Sequence, residues 1–125
     1  MPTATDRATL LADMFAALDR GDVPGYLTFL AENASLRFGN NAPVVGKLAI
    51  KESLDAFYKC FNWVSHDHVA TWTARDGAAV EADVSYEKPD GSTVHVPAVT
   101  ICRFGGDQKI TDYRIFVDLA PLFAA

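Results

Sequence analysis

Between residues 5 and 19 apolar side chains return at every third or fourth position. Leu11, Met14, Phe15 and Leu18 share one stripe and Gly21 closes the run, so the spacing predicts a helix. Asp22 is placed to cap a second helix with Pro24 in its first turn, and Tyr26, Leu27, Phe29 and Leu30 supply its apolar contacts. ASLRFG (34–39) reads as a short strand and NNAPVVG as a loop. Residues 47–61 carry a third helical stripe, formed by Ile50, Leu54, Phe57 and Phe61. From there the pattern becomes strand-like, over 62–74, 79–88, 92–104 and 109–118. Asp76-Gly77, Asp90-Gly91 and Gly105-Gly106-Asp107 supply turns between these runs. Helices followed by an antiparallel meander predict an α+β fold with the helices gathered on one face of the sheet.

The stretch VEADVSYEKPDG (80–91) raises the main question about function. Val80, Ala82, Val84 and Tyr86 alternate with Glu81, Asp83, Ser85 and Glu87. The acids stand either in solvent or on the floor of a pocket. Two-residue turns at Asp76-Gly77, Asp90-Gly91 and Gly106-Asp107 would place Glu81 and Asp83 beside Trp72, Val96, Ala98, Ile115 and Val117. That surface is largely apolar with a few polar groups set into it, as in small-molecule pockets. His66 and His68 fall on the same face, with His68 diagonal to Asp83. The expectation is therefore inward-facing carboxylates. The opposite face carries Val69, Thr71, Val84, Tyr86, Val99, Ile101 and Phe116 with His95, Arg103 and Arg114. It is too apolar for open solvent, and a second copy of the chain is the economical cover.

Composition narrows the field. The chain has 125 residues, half of them hydrophobic, a net charge of −5 and a pI near 5.0. One domain with a real core is expected. An acidic chain without a basic stripe argues against nucleic acid and anionic membranes as partners. No apolar run approaches the roughly 18 residues of a membrane span, and MPTATDRATLL has no signal-peptide core, so a cytoplasmic location is expected. Cys60 and Cys102 read as small buried hydrophobes. His66-Asp67-His68 invites a metal, yet no third ligand stands at a recognised spacing, so neither metal nor cofactor is expected.

The motifs VVGKLAIKESLDAFY, YEKPDG leading into VHVPAVTICRF, and the terminal DYRIFVDLAPLF resemble the SnoaL-like branch of the nuclear transport factor 2-like superfamily. The resemblance covers nearly the whole chain. It implies a cone-shaped, cystatin-like α+β fold whose curved sheet wraps an apolar pocket under three helices, and dimers through the outer sheet face. It brings few catalytic residues with it. The ketosteroid isomerases' oxyanion tyrosine falls at Met14, their general base at Phe38 and their second acid near Thr100. The epoxide hydrolases' third-strand acid matches Asp83, but Glu81 replaces their arginine and Ile115 their last acid, and their water-positioning pair falls near Leu36 and Phe38. For the late-strand acid of the cyclases only Asp118 is near.

A carboxyl desolvated among apolar walls and close to a second carboxyl is pushed toward neutral pKa values. Asp83 is then the candidate general base, assisted by Glu81, by His68 as proton relay and by Tyr113 as hydrogen-bond donor to an oxyanion. Met14, Phe38, Phe57, Trp72, Ser85, Val96, Ala98, Thr100, Ile115 and Val117 are the candidate pocket wall. The reading that follows is a cofactor-free acid–base enzyme of isomerase, cyclase or epoxide hydrolase type acting on a small apolar, polyketide- or terpenoid-like molecule. A ligand-binding module without turnover and a dimeric association domain are the alternatives.

Overall fold

The computed structural model describes residues 4–123. Residues 1–3 and 124–125, which the single-domain expectation includes, lie outside the described residues. The elements run α1 (Ala4–Asp19), α2 (Val23–Leu27), β1 (Leu30–Phe38), β2 (Val44–Val45), α3 (Lys47–Tyr58), β3 (Trp63–Thr73), β4 (Gly77–Glu87), β5 (Thr93–Phe104), β6 (Ile110–Val117) and α4 (Ala120–Phe123). The predicted helices and long strands are all present. The first strand is longer than expected, and α3 stops at Tyr58, leaving Phe61 buried in the turn beyond it. As expected, Asp22 caps α2: its carboxylate accepts from the Gly25 N–H at 2.9 Å.

The strands form one curved sheet in the order β2-β1-β6-β5-β4-β3. Only β1 and β6 pair in parallel; the other neighbours are antiparallel. The helices cover the inner face. Leu11, Met14, Phe15, Tyr26, Ile50 and Leu54 meet Val80, Cys102 and Tyr113 there in the larger core cluster. A second cluster gathers Phe61, Val64, Ala82, Val84, Tyr86, Val96, Ala98 and Leu122. Arg7 ties α1 to the far turns. Its guanidinium donates to the Ala74 and Arg75 carbonyls, each at 2.8 Å, and stacks 4.6 Å from the Phe104 ring centre.

The register corrects the main sequence expectation. The β4–β5 connection is five residues long, 88–92, so Glu87 opposes Thr93 and Asp83 opposes Pro97. The Lys88 N–H donates to the Ser92 carbonyl at 2.8 Å, Gly91 takes a φ of 89°, and Asp90 accepts from the Ser92 N–H and hydroxyl. This loop shifts the pairing by one residue from the two-residue turn, and a one-residue shift exchanges the faces. Val80, Ala82, Val84 and Tyr86 point inward and are 1–4% exposed. Glu81, Asp83 and Ser85 point outward, and Asp83 is exposed. Trp72 opposes Ala79 on the same outer face.

Energetics explain which signal wins. Each buried Val or Tyr contributes about 1.5–3 kcal/mol, whereas an unpaired buried carboxylate costs several kcal/mol. A turn preference is weaker than either. Pro97 leaves the β4–β5 register unbroken and lies one residue beyond the last β5–β6 pair, Ala98 with Val117, so that ladder loses no N–H to it.

This face assignment has a direct check in chemical denaturation. Val84→Asp should lose more than about 3 kcal/mol of stability, while Asp83→Asn should change it by less than about 0.5 kcal/mol. The reverse order would put the carboxylates inside.

Candidate active site

Inside the cone the sheet and helices leave a chamber with polar groups on apolar walls. Tyr26 comes from α2, Tyr58 from the end of α3, Tyr86 from β4, Tyr113 from β6, Thr100 from β5 and His66 from β3. Leu18, Leu36, Phe38, Leu54, Phe57, Val64, Val84, Ala98 and Ile115 complete the wall. All four tyrosines of the chain line it. The chamber offers only about 30 Å³ to the centres of water-sized molecules. A small polar fragment or a water fits there, not a whole substrate.

Two larger spaces share its walls. On one side a vestibule of about 310 Å³ is bounded by Asp19, Arg20, Phe61, Asn62 and Trp63, and shares Leu18, Tyr58 and Val64 with the chamber. On the other, a cavity of about 120 Å³ lies beside Leu119 and Phe123 and shares Leu36, Phe38, Leu54 and Phe57.

His66 lines the chamber, and its partner Asp19 lines the vestibule. Its Nδ1 lies 2.5 Å from Asp19 Oδ1, and its backbone N–H donates to Asp19 Oδ2 at 3.1 Å. Both side chains are mostly buried, at 13% and 29% exposure. β3 is an edge strand, so this N–H is free of the ladder and available to Asp19. An ionised carboxylate only accepts hydrogen bonds, so the neutral ring carries its proton on Nδ1. Nε2 is then the lone-pair nitrogen, without a protein partner among the described residues. Phe15 fixes the ring from below, its centre 4.9 Å from those of both His66 and His68.

The tyrosines are held protonated. Burial pushes Tyr26 and Tyr113 well above the ordinary tyrosine pKa, and neighbouring groups add to it. Burial also raises Tyr58, with Tyr86 and Asp19 contributing, and brings Tyr86 up to about 12. The Tyr26 hydroxyl is buried without a hydrogen-bond partner at good geometry; Tyr113, packed edge-on with ring centres 5.7 Å apart, is its polar neighbour. An orphaned buried donor costs about 1–3 kcal/mol, which a ligand oxygen in the chamber would offset.

Of the residues singled out in the sequence, the structure brings Tyr113, Phe38, Phe57, Ala98, Thr100 and Ile115 to the chamber. Val96 and Val117 face inward but pack in the second core cluster, and Met14 is fully buried in the first. His68 stands beside His66 on Phe15 without reaching the chamber wall; burial and the His66 charge lower its pKa. Glu81, Asp83, Ser85 and Trp72 are on the other side of the sheet, which also undoes the match of Asp83 to the epoxide hydrolase acid. The sequence reading missed Asp19, Tyr26, Tyr58 and Tyr86 as site residues. One signal was available: Asp19 stands at a helix C-terminus, where the dipole disfavours an anion, and the last turn of the helix holds no basic residue.

A profile of the SnoaL-like domain matches residues 11–113. The chain belongs to the SnoaL-like family. Solved structures agree on the fold. A nuclear transport factor 2-like protein of unknown function from Burkholderia pseudomallei superposes with a TM-score of 0.86 at 13% identity, over 94% of this chain and 97% of that one. A proposed SnoaL-like polyketide cyclase from Jannaschia gives 0.85 at 18% identity, over 100% and 96%. SalBIII, an epoxide hydrolase/cyclase-like enzyme of pyran ring formation in salinomycin, gives 0.84 at 19%, over 97% of both chains. At these identities the likeness concerns the fold alone. No curated protein matches this SnoaL-like chain. Among the described residues no helix is long and apolar enough to cross a membrane, and no group of three or more His, Cys, Asp or Glu is placed to hold a metal.

Four tyrosines with raised pKa values make a spectroscopic prediction. Absorbance titration should show little tyrosinate at pH 10, where a free tyrosine is half ionised. The sign follows from linkage. Folded pKa values above the unfolded one mean that stability is full below about pH 10 and falls as pH rises through the folded values. Ionisation should therefore coincide with unfolding followed by circular dichroism. Tyrosinate appearing near pH 10 in the folded chain would contradict this burial.

Proposed function

We propose that this SnoaL-like protein is a cofactor-free acid–base enzyme whose general base is His66, oriented by Asp19. The observation that supports this most is the His66–Asp19 pair at the wall of a tyrosine-lined chamber. Asp19 holds the Nδ1 proton and stabilises the imidazolium that forms when Nε2 takes a proton from a substrate carbon or from water. Oxygen that gains charge in that step meets the hydroxyls of Tyr26, Tyr58 and Tyr113, which stay protonated and can donate. The role expected of Asp83 thus passes to His66, while Tyr113 keeps its own.

The small chamber receives only the reacting atoms, and the bulk of the molecule occupies the vestibule against Phe61 and Trp63. The substrate class is a small, mostly apolar molecule with one polar reacting end, of polyketide or terpenoid type. The cyclase and epoxide hydrolase/cyclase-like names among the structural neighbours agree with this class.

Two probes separate the reactions. Proton abstraction is read as α-hydrogen exchange of β-tetralone in D2O by NMR, and water activation as hydrolysis of indene oxide. The wild type should accelerate one of them, and His66→Gln should lose about 10²–10⁴-fold of that rate with bound-probe affinity, followed by tryptophan fluorescence, little changed. Asp19→Asn should lose activity in the same direction. A wild type inactive on both probes, or a His66→Gln variant as fast as wild type, would overturn the proposal. Unchanged binding with no turnover would favour a ligand-binding module.

A further inference from the structure

The C-terminus of α1 sets two consecutive residues in the vestibule wall. Asp19, the last residue of the helix, holds His66, and Arg20 follows it. A Schellman turn fixes both backbones. The Asp22 N–H donates to the Ala17 carbonyl at 2.8 Å and the Gly21 N–H to the Leu18 carbonyl at 3.0 Å, with Gly21 at a φ of 74°.

Among the described residues lining the chamber, the vestibule and the cavity beside Leu119, Arg20 is the one lysine or arginine. Its guanidinium is only loosely engaged. One nitrogen lies 3.4 Å from Asp22 Oδ2, and the two side chains are 61% and 40% exposed. Such a pair is weak and screened, and a guanidinium has five N–H donors. The other Asp22 oxygen caps α2, accepting from the Gly25 N–H at 2.9 Å. Asp19 is occupied by the ring and backbone of His66. Neither carboxylate saturates Arg20. Trp63, 43% exposed, and Phe61 supply aromatic surface to the same space.

We propose that Arg20 makes the vestibule selective for a monocarboxylate, an aromatic or conjugated molecule whose carboxylate lies at the end away from the reacting carbon. The inference rests on the reading of the chamber as the place of reaction, and it adds a second, charged end to the substrate. The planar fork of a guanidinium matches a carboxylate with two parallel hydrogen bonds. A doubly charged phosphate is a poorer match, because Asp19 and Asp22 flank the arginine and repel the second charge. The ring system of the ligand lies against Trp63 and Phe61, which bury its faces.

A pair of probes that differ only in charge tests this. They are 6-carboxy-β-tetralone and its methyl ester. In a Trp72→Phe background Trp63 is the one tryptophan of the chain, and its fluorescence reports binding without turnover. The acid should bind about fivefold tighter than the ester, and the preference should shrink as salt rises. Arg20→Gln should bring the ratio to about one and Arg20→Glu should reverse it, with far-UV circular dichroism unchanged. Arg20→Lys should keep part of it, and Arg75→Gln, on the β3–β4 turn, should keep it whole. A wild type that binds acid and ester equally, or an Arg20→Gln variant that retains the preference, would overturn the inference. An Arg20-dependent preference without exchange or hydrolysis would uphold the carboxylate site and overturn only the catalytic role of His66.

Discussion

The apolar side of β4 is the constraint on which the rest depends. Val80, Ala82, Val84 and Tyr86 are nearly inaccessible to water, and they join the core clusters that the helices cover. Because β4 pairs with both β3 and β5, its orientation is passed along the sheet. It sets which side chains of β3 look inward, and so brings His66 rather than Asp67 toward the helices. The same choice sends Glu81 and Asp83 to the outside. One strand's burial thus selects both the chemistry of the chamber and the charge of the outer face.

Within the cone, polar groups survive because each is either paired or kept neutral. Among the described residues Asp19 is the carboxylate brought against the chamber's histidine, and it is satisfied by two donors from one residue. The tyrosines stay uncharged because burial makes ionisation costly. The Tyr26 hydroxyl, buried beside Tyr113 without a well-formed hydrogen bond among the described residues, is the exception. Well-packed interiors rarely leave such groups.

The outer face obeys the opposite logic. Its acids and arginines are accessible to water, so the monomer tolerates them, but their cross-strand register sets like beside like. Both the repulsion and the exposed Trp72 and Phe116 side chains are unfavourable to the isolated chain.

Much of the fold could be read from periodicity. The helical stripe of Leu11, Met14, Phe15 and Leu18, the cap at Asp22 and the inward faces of β5 and β6 all depend on spacing within one element, and local spacing is written in the chain. Tyr113, Thr100, Ala98 and Ile115, read as inward-facing from that spacing, line the chamber. The face of β4 relative to β5 depended on one loop, where Asp90-Gly91 suggested two residues and the chain uses five. Turn chemistry marks a reversal without counting its residues, and one residue decides a face. Asp19 and His66 are 47 positions apart, and no local period links a helix end to an edge strand. Sequence alone determined the elements and the apolar sides they must bury. Tertiary structure decided which polar residues meet, because that depends on the docking of α1 against β3 and on the register that burial of β4 selects.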